Sequence, residues 1–193
     1  MGIYSFPCYP QEKVVFEEHF ADSVCKWKVR DESDHSVKII NNKYFFHAKY
    51  VGFPSFEFAP WDSLFIENSD HFSIECSTLW SNGKNDWGYG IFWGDLGKFS
   101  LYFFEIASSG YYTYGLEKKG KRKMIVDWTP CNKVKKQGYN SLKIEVLGDI
   151  IMLYVNDQLI CQTRYSPLNI DCAGFQNAGD QTILFDDLII KKL

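Results

Sequence analysis

From residue 138 to residue 160 the chain reads GYNSLKIEVLGDIIMLYVNDQLI, and the order of its side chains allows little besides antiparallel strands. Leu142, Ile144 and Val146 alternate with Ser141, Lys143 and Glu145. That period of two puts one face of a strand in a core and the other in water. Gly148-Asp149 and Asn156-Asp157 interrupt the apolar runs; glycine and asparagine tolerate the positive φ that tight hairpin turns need. The segment between these turns is apolar on both faces, so its outer side is expected to be covered too.

The same punctuation runs along the whole chain. Helical periodicity is weak, and β-branched and aromatic runs recur at intervals of about 8–12 residues between Gly, Asn and Asp. Strands are expected over 14–20, 37–40, 44–48, 56–58, 72–80, 88–93, 99–106, 111–117, 123–127, 141–147, 150–155, 158–164, 173–176 and 182–190. Hairpins are expected to turn at Asn41-Asn42 and at Gly120. This pattern defines an all-β protein, an antiparallel two-sheet β-sandwich. With 193 residues the chain fits one domain, 14–193, after an irregular lead-in, 1–13. Six Trp, 12 Tyr and 16 Phe are enough to fill a wide inter-sheet core and leave rings over for a binding face.

Charge and cysteine usage narrow the function classes. A net charge of −3 gives no reason to expect nucleic acid as a partner. No apolar stretch approaches the ~18 residues of a membrane span. The first ten residues lack a basic segment followed by an apolar one, so the chain as written reads as cytoplasmic, or as secreted if a leader has been removed. Cys8, Cys25, Cys76, Cys131, Cys161 and Cys172 lie far apart without a C-x-x-C, which argues against zinc and for reduced, buried thiols, with secretion and one or two disulfides as the alternative.

The segment from Trp128-Thr129-Pro130 through residue 160, together with VVFEEHFADSVCKW near the start, DWGYGIFWG in the middle and ILFDDLIIKKL at the end, resembles the concanavalin A-like lectin/glucanase superfamily. That jelly roll is shared by laminin G-like modules and family 16 glycosidases. The likeness covers residues 14–193 in order, with Asp157 where a glycine is common. It implies that the closing strand pairs with the opening one, and that a ligand lies on the concave sheet. Retaining glucanases of the superfamily carry Glu-x-Asp-x-x-Glu on a strand. Residues two apart share a strand face, so their carboxyls can converge on the about 5–5.5 Å that double displacement needs. This sequence lacks the motif. Its only carboxylates two apart, Glu32 and Asp34, fall in the polar stretch RDESDHS, and the adjacent Asp186 and Asp187 are expected to face opposite ways on a strand.

No nucleophile elbow or phosphate loop is present, and His19, His35, His47 and His71 lack ligand-like spacing. No cofactor is expected. A Ca2+ ion would suit the superfamily, with Asp22, Asp31, Asp70 or Asp186 able to lend oxygens, but nothing specifies one. The candidate ligand site is DWGYGIFWGD. Trp87, Tyr89 and Trp93 share one face with Ile91, and Tyr112 and Tyr114 share a face of a nearby strand; Trp61, Trp80 and Trp128 lie near strand ends. Flat rings suit the apolar faces of sugars, with Asp86, Asn85, Asp95 and Glu105 as polar partners. Gly88, Gly90 and Gly94 lie opposite the rings with Phe92, a side that something bulky should approach closely. The same rings would equally fill a sandwich core. KKGKRK, residues 118–123, reads as a solvated hairpin tip, with an anionic contact as the alternative. The expectation is a non-catalytic module that binds a carbohydrate. The alternatives are a divergent glycoside hydrolase or lyase, and an intracellular domain that binds a protein partner.

Overall fold

A computed structural model describes residues 12–21, 27–50, 52–60, 66 and 69–193. The described residues hold no helix. Their strands, in chain order, are β1 (Lys13–Glu18), β2 (Arg30–Asp31), β3 (His35–Ile40), β4 (Lys43–Ala48), β5 (Ser55–Phe58), β6 (His71–Gly83), β7 (Tyr89–Asp95), β8 (Ser100–Ala107), β9 (Tyr111–Lys118), β10 (Lys121–Pro130), β11 (Asn140–Leu147), β12 (Ile150–Val155), β13 (Gln158–Arg164), β14 (Cys172–Asn177) and β15 (Gln181–Lys192). The tight turns follow from residue chemistry. Asn41-Asn42 sit at φ 51° and 58°, and Asn156-Asp157 at φ 51° and 61°, the paired positive values of a two-residue hairpin turn. Aspartate supports such a turn where glycine is more usual.

The strands form two antiparallel sheets. One runs β13-β12-β11-β6-β15-β4-β3-β2, with β1 also paired to β15; the other runs β10-β9-β8-β7-β14-β5. The closing strand serves two neighbours in turn: Gln181 to Phe185 pair with β4, and Leu188 to Lys192 pair with β1. Between these halves the register with β6 shifts from Asp186 to Ile189, and Asp187 sits at φ 51°. This β-bulge corrects the expectation for the two aspartates. Asp186 reaches Lys43 and Asp187 reaches His19 and Ser77, so both lie on the outer face of the nine-stranded sheet.

Period-two alternation fills the core. Ile74, Ile144, Leu153 and Ile190 from one sheet meet Ile91, Trp93, Phe104 and Tyr114 from the other, all fully buried. Phe175 and Phe185 stack across the sheets with ring centroids 4.2 Å apart. The outer side of β12 is less covered than expected: Ile150 is exposed and Met152 and Tyr154 are half-buried. The Lys143 ammonium lies 5.5 Å from the Tyr154 ring, a snorkelling cation in place of a packed layer. No helix among the described residues is long and apolar enough to cross a membrane.

Candidate functional site on the outer face of the six-stranded sheet

The central strand β7 is buried over its whole length. Its inward set is Tyr89, Ile91 and Trp93. Its outward set contains Gly90 and Phe92, and Phe92 joins a second cluster with Leu101, Phe103 and Cys172, flanked by Phe56, Phe58 and Met124. Phe56 and Phe58 meet Phe92 edge-on, with centroids 5.1 and 4.9 Å away. Phe103 lies over Gly115, where a β-carbon would stand 2.4 Å from its Cζ, and the Arg122 guanidinium covers the ring at 3.7 Å. A cation desolvated on an aromatic face gains about 1–2 kcal/mol.

Arg122 organises the polar end of this face. Its Nη2 donates to Glu105 Oε1 at 3.1 Å and to Gln176 Oε1 at 3.5 Å, and its Nε stands 3.7 Å from Glu117 Oε2. Glu105 is 1% exposed and Gln176 is fully buried. Burial raises the Glu105 carboxyl above the usual range, with the Arg122 charge pulling the other way. Beside them, a β-carbon on Gly88 would come within 2.8 Å of Glu105 Oε2 and 2.9 Å of Trp128 Cη2. The glycine lets the indole edge and the carboxylate close over the backbone. Trp128, at the far end of β10, stays 39% exposed. The result is a half-exposed flat ring beside a carboxylate, a guanidinium and an amide.

The residues expected at the site divide sharply. Glu105 is in this cluster. Trp87 and Asp86 lie on the turn that leads into Gly88: Asp86 is exposed, and Trp87 packs on Gly179, where a β-carbon would be 2.3 Å from its Cγ. The platform of Tyr89, Trp93, Tyr112 and Tyr114 is corrected. All four belong to the inter-sheet core, and Trp93, Tyr102 and Tyr114 stack on one another there. Asp95 is at the opposite end of β7, where it accepts from the Lys98 backbone at 2.8 Å and pairs with its ammonium at 2.9 Å. The Lys98 contact lowers its pKa, so Asp95 caps the turn over 96–99. Trp80 is half-buried against the core. Trp61, Cys8, Cys25, Asp22 and most of the lead-in lie outside the described residues. Gln176 and Glu117 escaped the sequence reading, and Arg122 entered it only within the KKGKRK run read as a hairpin tip, whereas it is partly buried over Phe103; the other signal was the glycine-lined side of β7.

Other titratable groups are structural. The four described cysteines, Cys76, Cys131, Cys161 and Cys172, are free thiols. Asp31 and Asp186 are held by Lys49 and Lys43, and Asp70 lies 3.3 Å from His71. No group of three His, Cys, Asp or Glu side chains among the described residues could hold a metal. His19 lies between Asp187 Oδ1 at 2.7 Å and Glu17 Oε1 at 2.8 Å. Carboxylates only accept, so both ring nitrogens donate and the ring is held as imidazolium. Its pKa is raised, mainly by the bond to Asp187 and then by that to Glu17. This stabilisation is complete below the unfolded value of 6.5 and fades as pH rises through the higher folded value. With the side chain 48% exposed, the loss is expected to be at most about 1 kcal/mol. Urea titrations from pH 6 upward should show it, and His19→Gln should remove it.

No family model and no curated protein matches this sequence. Solved structures do match over nearly the whole chain. A carbohydrate-binding module from Bacillus subtilis has TM-score 0.57 at 13% identity, covering 94% of this chain and 95% of that one. A protein of unknown function with a galectin-like fold, also from Bacillus subtilis, has TM-score 0.64 at 8% identity, covering 94% and 98%. A laminarinase from a Flavobacterium species has TM-score 0.60 at 15% identity, covering 93% and 99%. The fold is therefore a two-sheet antiparallel β-sandwich of the jelly-roll, galectin-like kind. At these identities the likeness extends to the fold alone.

Proposed function

We propose that the protein is a carbohydrate-binding module whose glycan lies on the outer face of the six-stranded sheet. The observation that carries this reading is the half-exposed Trp128 beside the Glu105–Arg122–Gln176 cluster. An indole offers a flat apolar surface to a pyranose, and the partly exposed edges of Arg122 and Glu117, with side-chain exposures of 22% and 20%, suit sugar hydroxyls. The kinds of proteins that share the fold support the same reading. Trp87 and Asp86 flank the site on the preceding turn. In a glycan array followed by calorimetry, Trp128→Ala is expected to weaken binding at least about tenfold, the weight of one stacked ring. Its unfolding midpoint should barely move, because the ring is partly solvent-exposed. Absence of binding to any glycan on the array, or full binding by Trp128→Ala, overturns the proposal.

One observation favours a second reading, a glycoside hydrolase. Glu105 and Glu117 both approach one guanidinium, which brings them within about 10 Å of each other, the range of glycosidase carboxylate pairs. Burial raises Glu105, as a general acid requires. Against it, Arg122 fills the space between them and pairs with Glu105, so a glycosidic oxygen has no clear path to that carboxyl. Release of reducing ends from a polysaccharide, lost in Glu105→Gln, would establish the hydrolase.

A further inference from the structure

The outer face of the six-stranded sheet does not end at Glu117. Beyond it, the turn over 96–99 and the hairpin tip at Lys119-Gly120 border an open surface cavity of about 650 Å³. Phe99 lines it, 61% exposed and held at φ 47°. A left-handed backbone is unfavourable for a bulky non-glycine residue, and such strain persists where surrounding structure enforces it. Here the Phe99 N–H donates to the Leu96 carbonyl, and the Phe99 carbonyl accepts from the Lys119 N–H at 2.8 Å. The two turns thus hold an aromatic ring out toward solvent.

The rim of that cavity is basic. Lys98, Lys118 and Lys119 line it; on β10, Lys121 and Lys123 alternate with Arg122 and Met124 and so lie on the other side of the strand. Lys118, Lys119, Lys121 and Lys123 are exposed and make no ion pair with any described residue. Only Lys98 is engaged, by Asp95. Three lysines and one glutamate at this end make it positive on a chain of net charge −3. Glu117 lines the cavity and also stands against Arg122, which makes the basic end continuous with the Trp128 cluster along one sheet face.

We infer that this basic end is a subsite for acidic sugar residues, so that the glycan bound by the protein carries carboxylate or sulfate groups. The inference rests on the glycan reading above. The Phe99 ring packs against the apolar face of one sugar, and the ammonium groups of Lys118 and Lys119 neutralise its anionic substituent. Charge complementarity selects the occupant. A lone exposed ring gives a bilayer little apolar area, and the acidic remainder of the molecule opposes a long nucleic acid lying across it.

The test compares an oligogalacturonate and a heparin-derived oligosaccharide with neutral laminari- and cello-oligosaccharides, by calorimetry on the full chain, in wild type, in the double variant Lys118→Glu/Lys119→Glu and in Trp128→Ala. One of the acidic oligosaccharides is expected to bind at least about tenfold more tightly than the neutral ones, with several-fold weakening between about 20 and 200 mM salt. The lysine variant should lose that preference while keeping its neutral-sugar affinity. Trp128-dependent binding with no acidic preference, or an acidic preference unchanged in the lysine variant, overturns this inference and leaves the glycan reading standing. Equally tight, lysine-dependent binding to phosphatidylserine vesicles or to single-stranded DNA overturns the acidic-sugar assignment. No binding to any oligosaccharide overturns both readings.

Discussion

Trp93→Ala is expected to destabilise the protein by about 3–5 kcal/mol, the range for deleting a large buried aromatic. Trp93 is fully buried. Its ring lies nearly parallel to Tyr102, at 5.8 Å and 23°, and to Tyr114, at 6.3 Å and 12°, and those two rings already stack on each other at 5.7 Å, so removing it leaves a cavity beside a packed pair that is not free to collapse into it. A loss of this size is a large share of the 5–15 kcal/mol that a domain commonly has. Urea denaturation reads the change directly. Calorimetry at low temperature, where the variant remains folded, should find glycan affinity near wild type. A Trp93→Ala protein with native stability and no glycan binding would show that the ring faces a ligand rather than the core.

Glu57→Ala should be of similar size, by a different mechanism. Glu57 on β5 is 2% exposed. Its Oε1 accepts from Arg30 Nε and Nη2 at 2.9 and 2.6 Å and lies 2.6 Å from His35 Nε2, while Oε2 accepts from the Tyr44 hydroxyl at 3.1 Å. His35 is linked in turn to Asp34 at 2.9 Å, whose pKa is lowered by the His35 contacts against the opposing effect of burial. Arg30, His35 and Tyr44 belong to the nine-stranded sheet and Glu57 to the six-stranded one, so the carboxylate joins the sheets at their β2 and β5 edges. Removing one partner of a buried pair strands the other, at a cost of about 3–5 kcal/mol. Replacing both, as Arg30→Met/Glu57→Leu, should recover much of the loss, because packed apolar groups substitute well for a buried ion pair. Chemical denaturation of both variants checks this. If the double variant is no better than Glu57→Ala, the damage lies in packing rather than in an orphaned charge.

The turns were legible because their chemistry is local. Asn41-Asn42, Lys119-Gly120 and Asn156-Asp157 take positive φ, which Asn, Asp and Gly tolerate, and the hairpins follow. The pairing of the ILFDDLIIKKL strand with the VVFEEH strand was legible from resemblance, and β15 does pair with β1. The bulge was not. Two adjacent aspartates on an ideal strand point apart, and only the two-sided pairing of β15 with β4 and β1 shows why an extra residue is inserted there. Nor was the Glu57 network, because Arg30, His35 and Glu57 are separated in sequence and share no pattern.

Of the residues gathered at the candidate site, Glu105 and Trp128 were named from the sequence, whereas Tyr89, Trp93, Tyr112 and Tyr114 are core. Alternation assigns Tyr89, Ile91 and Trp93 to one face of β7 and Gly90 and Phe92 to the other, but both faces are apolar or bare. A period of two carries no sign when neither face is polar, so nothing in DWGYGIFWGD says which side meets the other sheet. The sequence by itself determined an all-β sandwich and its turns, because short-range φ preferences and strict alternation suffice for those; the pairing of first and last strands came only with the resemblance. The tertiary structure alone decided that the tyrosines and Trp93 are core and that Arg122, Gln176, Glu105 and Trp128 gather on the opposite face. That choice depends on which side of the six-stranded sheet the second sheet covers, and on β14 and β10 bringing together Gln176 and Arg122, 54 positions apart in the chain.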